Sequence, residues 1–430
     1  MFSALGYFLG LIVIVFTGVH VASAILFTAV ASDQMSLGIL SSMVGNISWN
    51  TMNQYLLVAI PLFVLLGEIL TRSGIADRMY RALGLWLTWL PGGLLHANIA
   101  TCALFAATSG SSVATAATIG TVAQPTMKEL GYRDSLTLGS VAAGGTLGIL
   151  IPPSINMIVY GSLTNVSVGK LFAAGIIPGI LLVMTMSAII IIMSLAGMVG
   201  DVRKSDTVSF ASRIRALAAI IPVGFVFLLV MGSIYAGVAT PTEAASIGIV
   251  GATLLAAMNG TLSIEMLHSA FLAALKTTAM ILLILVAAFA LNFVLSVAGI
   301  PQALANQVGE LGLSPYATIW LLVLFYLILG CFLEAIAMMV TTVGVVVPLI
   351  IALGFDPLWF GIFLTLLMEM ALITPPVGLN LYVVQNVRTG GGSIADVFRG
   401  IIPFALAILI FIAILIYVPE LATWLPNKMF

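Results

Sequence analysis

The chain has 430 residues, of which 62% are hydrophobic and only 7% charged, against about 25% charged in soluble domains. Such a composition excludes an ordinary soluble domain and points to the lipid bilayer. The formal net charge of −1 gives no reason to expect nucleic acid, and no basic run suggests a polybasic tail. Apolar runs of eighteen residues or more are long enough to cross a hydrocarbon core roughly 30 Å thick.

In chain order, the first run is 6–30. It has no Lys or Arg ahead of it and no small-residue cleavage site, so it is expected as a retained span and not a signal peptide. The span 56–71 follows, with Glu68 near its end placed to snorkel or cap. Next comes 77–90, where Trp86 and Trp89 beside Arg78 and Arg81 predict a helix lying in the interface plane. The stretch 94–127 would be roughly 50 Å long as one helix, too long for one crossing and too short for two. Its middle carries TSGSS at 108–112, residues that cap and turn well. A re-entrant hairpin over 94–127, with its tip at the bilayer midplane, is therefore predicted. Further spans are expected at 138–160, 171–198, 217–235, 243–258 and 277–297. The stretch 316–349 reads as a second hairpin, with Gly330 to Glu334 at its tip, and spans at 360–384 and 401–418 complete the chain. Thr240, Pro241 and Thr242 ahead of Glu243 read as a helix start, where a carboxylate favours the dipole. Cys102 and Cys331 lie in apolar surroundings and are expected as packing, since one pair makes no disulfide framework.

Positive charge orients these elements. Arg72, Arg78, Arg81, Lys128, Arg133, Arg203, Lys204, Arg213 and Arg215 fall on one face if the N-terminus is cytoplasmic and the C-terminus periplasmic. The loops assigned to the other face, 31–55, 236–243, 298–315 and 351–357, carry almost no Lys or Arg; Lys170 and Lys428 are exceptions.

The chain also repeats itself. An offset of 223 places Pro125 on Pro348, Gly131 on Gly354, Pro152-Pro153 on Pro375-Pro376, Ser111 on Glu334 and Thr118 on Thr341. An offset of 225 places Gly74-Ile75 on Gly299-Ile300 and Ile177-Pro178 on Ile402-Pro403. The matched loops differ in charge, so the two copies are expected to be inverted: 1–198 as the first repeat, 199–242 as a cytoplasmic linker and connecting span, and 243–430 as the second. Prolines and glycines are common in membrane helices and can align by chance. Inverted repeats with broken helices near the midplane nonetheless point to secondary transporters. Each Pro-Pro pair removes backbone donors and pushes the preceding residue out of the α region. The freed carbonyls need water, protein or an ion. With nearby Ser, Thr and Asn oxygens they suit a hard cation such as sodium, while the half-helix beyond presents its N-terminus to an anion. The blander readings are a plain proline kink and, for TSGSS, small residues that serve helix packing alone. Glu334 and Glu369, as intramembrane carboxylates, are functional candidates. His20, His96 and His268 have no ligand-spaced neighbours, so no transition-metal site is expected.

The segments TSGSSVATAATIGTVAQPTMKELGY, GGTLGILIPPSINMIVYG and ITPPVGLNLYVV resemble the large membrane (permease) subunit of tripartite ATP-independent periplasmic (TRAP) transporters, a resemblance that covers essentially the whole chain. It implies an all-α, inverted-repeat, elevator-type secondary transporter of the bacterial inner membrane. Such a transporter is driven by sodium and imports an organic acid, such as a C4-dicarboxylate or sialic acid, delivered by a periplasmic substrate-binding protein. A small four-helix membrane subunit is the implied partner, expected as a separate chain because four extra spans are lacking here. The resemblance places ion sites between hairpin tips and broken helices, at least two sodium ions in all. One site carries over to Ser109, Gly110, Ser111 and Ser112 with Gly144, Gly145, Thr146, Ile151 and Pro152. The other carries over to 330–334, ending in Glu334, with Thr374 and Pro375. Ser112, Pro153, Asn156, Pro376 and Asn380 are expected to face the substrate, between the hairpin tips and away from the linker. Since Ser111 and Glu334 differ, the two ion sites should not be identical.

Competing readings are a stand-alone sodium–proton or anion exchanger of the same superfamily and an intramembrane hydrolase using Ser109, Ser111 or Ser112. The hydrolase lacks a base close in sequence and a G-x-S-x-G elbow. An ATP-driven pump is disfavoured because no G-x-x-x-x-G-K-[ST] occurs. No enzymatic activity is expected.

Overall fold

The computed structural model describes residues 4–35, 38–200 and 209–430. Arg203 and Lys204 of the expected linker lie outside the described residues. Among the described residues the secondary structure is helical throughout. In order the helices are α1 (Ala4–Phe16), α2 (Val21–Gln34), α3 (Leu40–Met52), α4 (Ala59–Arg72), α5 (Ile75–Leu87), α6 (Leu94–Ser109), α7 (Ser112–Glu129), α8 (Asp134–Thr146), α9 (Ile155–Thr164) and α10 (Val168–Leu195). They continue with α11 (Phe210–Leu217), α12 (Ile221–Tyr235), α13 (Pro241–Met258), α14 (Ile264–Val297), α15 (Ile300–Glu310), α16 (Pro315–Gly330), α17 (Ala335–Ala352), α18 (Pro357–Ile373), α19 (Leu379–Asn386), α20 (Ile394–Tyr417) and α21 (Glu420–Met429). Among the described residues seven helical stretches are long and apolar enough to cross a membrane: Tyr55–Arg72, Val168–Leu195, Phe210–Tyr235, Pro241–Met258, Ile264–Val297, Ala335–Ala352 and Ile394–Tyr417.

Local chemistry sets many boundaries. Thr240 and Glu243 form a capping box at the start of α13, each side chain taking the other's backbone N–H. Residues paired by the two repeat offsets share their conformations. Gly74 and Gly299 both precede helices at φ 70°, and Gly131 and Gly354 end helices at φ 83° and 85°. Pro125 and Pro348 lie inside α7 and α17, and Pro178 and Pro403 inside α10 and α20. Both Pro-Pro bonds are cis.

Five expectations need correction. The run 6–30 is two helices, α1 and α2, parted at Thr17–His20 where Gly18 takes φ 80°; a left-handed glycine ends the first helix. The segment 31–55 contains α3, whose first N–H groups, those of Ile39 and Leu40, bond to the Asp33 carboxylate. The segment 298–315 contains α15. Helix α14 begins thirteen residues before the expected span and runs for 34 residues, about 51 Å. The last residues form α21, which packs on α10.

The two halves of the chain interlock through α8 and α20. These helices cross at Gly139 and Gly400, where a Cβ on either would overlap the opposite backbone. Arg388, between α19 and α20, ties the same end together. Its Nη2 lies 3.0 Å from Asp134 at the start of α8, and its Nη1 lies 3.0 Å from Asp396 in α20, with the side chain 6% exposed. Gln124 of α7 accepts the Thr389 N–H at 2.7 Å. At the other end Tyr160 donates to the Pro357 carbonyl at 2.7 Å, and Trp359 to the Leu415 carbonyl at 3.0 Å. Helix α5 buries Ile75, Met79 and Tyr80, and Trp86 donates to the Arg213 carbonyl of α11 at 2.9 Å.

The crossing makes a direct test. Gly400→Val should cost at least about 2 kcal/mol through forced separation of α8 and α20, read as a lowered Tm of the detergent-purified protein. Gly309→Ala, where a Cβ meets nothing within 4 Å, should leave Tm unchanged or slightly raised.

Candidate functional site

Helices α6 and α7 meet at TSGSS. Gly110 ends α6 at φ 59°, a conformation that glycine adopts without strain. Ser111 then caps α7, its Oγ accepting the Ala114 N–H at 3.4 Å. Ser109 Oγ lies 2.9 Å from Thr115 Oγ1. The first helix break sits directly beneath this tip. Helix α8 tightens into a 3-10 turn at Leu147–Ile149, and Ser154 Oγ donates to the Ile149 carbonyl at 2.6 Å before α9 begins. A Cβ on Gly148 would stand 2.8 Å from Ser111 C, and one on Gly110 would stand 2.9 Å from the Pro153 carbonyl oxygen. Tip and break therefore touch through their main chains, which only glycine permits.

The second tip is built alike with different chemistry. Glu334 caps α17, its Oε2 accepting the Ala337 N–H at 3.2 Å, where Ser111 does this job in the first. A Cβ on Gly330 would stand 2.5 Å from Ala371 Cβ, so this tip rests on α18. In the second break Thr374 Oγ1 donates to the Met370 carbonyl at 2.6 Å, and Cys331 Sγ lies 3.4 Å from the Pro375 carbonyl.

A single cavity of about 640 Å³ joins these parts. Ser109, Gly110, Ser111 and Ser112 line it from the first tip, Ile149, Ile155 and Asn156 from the first break, Glu334, Ala335 and Ile336 from the second tip, and Leu372 and Leu379 from the second break. Its opposite wall comes from elements that the sequence reading left outside the site. These are Val64, Gly67, Glu68 and Thr71 of α4, Thr277, Met280, Ile281 and Ile284 of α14, and Val19, His20 and Val21 at the α1–α2 break. Among the described residues the lining contains no Lys or Arg, and its ionisable groups are His20, Glu68 and Glu334. Glu68, expected to snorkel or cap, is thus a wall residue ion-paired with Arg72. His20 Nδ1 accepts the Ala22 N–H at 3.3 Å. The signal for this third break was present in Gly18 and His20, inside an apolar run that length alone reads as one span.

Other expected residues lie off the wall. Gly144 and Gly145 are packing positions, against Cys102 and against Ala116 with Asn380. Thr146 Oγ1 donates to the Ala143 carbonyl at 2.7 Å, and Ile151 lies against Gly179. Pro152 is buried, while Pro375 is exposed. Three of the five substrate-facing positions also differ from expectation. Pro153 is buried with its carbonyl on Gly110, Pro376 is exposed, and Asn380 is fully enclosed between α19 and α8, its amide donating to the Ala142 carbonyl at 3.1 Å. The resemblance implies a substrate-facing Asn380; its helix instead turns it towards α8. The donor set at tip and break is nonetheless hydroxyl and main-chain carbonyl oxygen, which fits a hard monovalent cation. It does not fit a hydrolase. Ser109 and Ser111 bond to a threonine and to main chain, and His96 Nε2 lies 2.8 Å from the Pro91 carbonyl at the far end of α6.

Residues 4–421 match the family model of the tripartite ATP-independent periplasmic transporter, DctM component. The C4-dicarboxylate TRAP transporter large permease protein DctM of Pseudomonas aeruginosa is 37% identical over 381 residues, 88% of each chain. The sialic acid TRAP transporter large permease protein SiaM of Vibrio cholerae is 30% identical over 432 residues, 98% of each chain. The isethionate TRAP transporter permease protein DctMQ of Oleidesulfovibrio alaskensis is 31% identical over 421 residues, 97% of this chain and 65% of that one. The crystal structure of the YdaH transporter of Alcanivorax borkumensis shares the fold, with a TM-score of 0.56 at 15% identity over 91% of this chain and 90% of that one. The relatives are transport proteins and not enzymes, and this chain belongs with them: it is a multi-pass membrane permease of the DctM family of TRAP transporters.

Proposed function

We propose that this chain is the large permease subunit of a sodium-coupled importer of a small organic acid, working by an elevator movement. The observation that carries the reading is the cavity, where two helix-hairpin tips and two helix breaks face α4 and α14 across one space of about 640 Å³. Hydroxyls and carbonyls at tip and break would hold sodium. A substrate anion, meeting a wall without Lys or Arg among the described residues, would rely on those cations and on the N-termini of α7, α9 and α17. Relatives named for a C4-dicarboxylate and for sialic acid support a carboxylate as cargo.

The hairpins would be re-entrant from opposite faces, each sealing one route, while α4 and α14 stay in the scaffold. Lys128, Arg133 and Arg388 gather at one end of α7, α8 and α19, which favours that end as cytoplasmic. In this reading the permease sits in a bacterial inner membrane, N-terminus inside and C-terminus in the periplasm, and takes its cargo from a periplasmic binding protein. A small four-helix subunit would complete it; the longer DctMQ relative, whose name joins two components, supports that partnership.

Uptake into proteoliposomes holding the complete transporter should require sodium, and undiminished uptake in choline or potassium would refute the coupling. Inside-negative potential should drive it, at about 2.3 kcal/mol per net charge per 100 mV.

Ser112→Trp should reduce uptake at least about tenfold, equivalent to about 1.4 kcal/mol, because it fills the cavity; membrane insertion should persist, as shown by monodisperse elution. Full transport by this variant would move the site elsewhere.

Movement is tested by Val113→Cys on the hairpin with Met280→Cys on α14, both on the cavity wall. Bridging them with a cleavable bis-thiol reagent should stop uptake, and reduction should restore it. Transport through an intact bridge would mean that hairpin and scaffold do not slide.

A further inference from the structure

Helix α18 leads into the second break and carries one charged residue, Glu369, five positions before Thr374. Glu369 is 0% exposed, and among the described residues neither carboxylate oxygen has a hydrogen-bond partner. A bare carboxylate enclosed in an apolar interior is strongly disfavoured unless something neutralises it.

Neighbouring elements supply no countercharge. Helices α8, α9, α10, α16, α17, α19, α20 and α21 and the turn Leu147–Ile149 pack against α18. Of these, α9, α16, α17, α19 and the turn contain no charged residue. Asp134 of α8 and Asp396 of α20 both hold Arg388, and Arg399 of α20 is exposed. Lys170 starts α10 beside Leu171, which lies against Gly361, eight residues and about 12 Å along α18 from Glu369. Glu420 and Lys428 of α21 are exposed. Glu334, capping α17, has the same sign and is engaged by the Ala337 N–H. The tyrosines on these elements offer no positive charge; Tyr160 and Tyr326 donate to Pro357 and Thr342.

The repeat sharpens the contrast. The offset of 223 pairs Glu369 with Thr146, whose hydroxyl donates within its own helix to the Ala143 carbonyl and needs no ion. The second half of the chain thus carries an unmatched carboxylate where the first is self-satisfied.

We infer that Glu369 is a binding site for a monovalent cation, a proton or a sodium ion, which neutralises the carboxylate and travels with α18 during transport. Binding stands on burial and missing countercharge alone; only the clause on travel rests on the coupled-transport reading. The site lies outside the tip-and-break positions expected to hold sodium.

The test is labelling of the wild-type complex with dicyclohexylcarbodiimide, an apolar reagent that adds to carboxyl groups in apolar surroundings, read by peptide mass spectrometry. If sodium is the ligand, labelling of Glu369 should fall several-fold when sodium replaces choline. If a proton is the ligand, labelling should rise several-fold as pH falls, whatever the sodium concentration. No labelling under any condition, or labelling indifferent to both, overturns the site. In proteoliposomes Glu369→Gln, neutral and similar in size, should carry one cation fewer per substrate, and an unchanged ratio overturns the clause on travel. The labelling needs no transport, so a failure of sodium-coupled uptake and a failure at Glu369 are separate results.

Discussion

Every backbone group released inside an apolar interior must find a partner, and the two helix breaks release several at once. In this protein the first break answers part of this itself, the Ile149 carbonyl accepting the Ser154 hydroxyl, and a hairpin tip packs on it: Gly110 lies against the Pro153 carbonyl, and Gly148 on the main chain of Ser111 and Ser112. The second tip meets its broken helix through Gly330 and Ala371. These contacts are backbone to backbone or nearly so, leaving little room for independent motion of tip and break. Each hairpin and its broken helix consequently form one packed unit, and the cavity lies where the two units face α4 and α14.

The halves of the chain depend on one another. Helices α8 and α20 approach closely enough at Gly139 and Gly400 to exclude any side chain, and Arg388 bridges Asp134 and Asp396 at the same end. A nearly buried arginine holding two carboxylates is costly to desolvate, so its net contribution to stability is small, but loss of either partner type would strand a charge. Its geometric effect is to tie the segment between α19 and α20 to the start of α8. Asn380 adds a further tie, from α19 to the α8 carbonyl of Ala142.

The cavity is electrostatically one-sided. Among the described residues its wall carries the carboxylates Glu334 and Glu68, the latter paired with Arg72, together with His20, and no lysine or arginine. Under the proposed function an anion could enter only with cations, which makes coupling a consequence of the lining and not an added feature. Serine at one tip and glutamate at the other cap their helices in the same way while giving the two units different charge.

Much of this was legible in the sequence. Stretches too long for one crossing and too short for two marked both hairpins, paired prolines marked both breaks, and spacing of 223 related them. These are local signals, since proline, glycine and capping residues act on their own backbone wherever they stand. Charge along the sequence likewise set the expected orientation, because each loop carries its own lysines and arginines. What the tertiary structure alone decided was facing. Helical rotation turned Asn380 into the α8 interface and away from the cavity, and the path of the chain through the second break left Pro375 and Pro376 exposed. Packing brought Glu68, Thr71, Thr277 and His20 to the opposite wall from segments that carry no shared motif. Close approach of α8 and α20 depends on two glycines 261 positions apart, unremarkable until the helices cross. A residue's own backbone preference is written in its neighbours along the chain; the surface it meets belongs to residues far from it, and only folding brings them together.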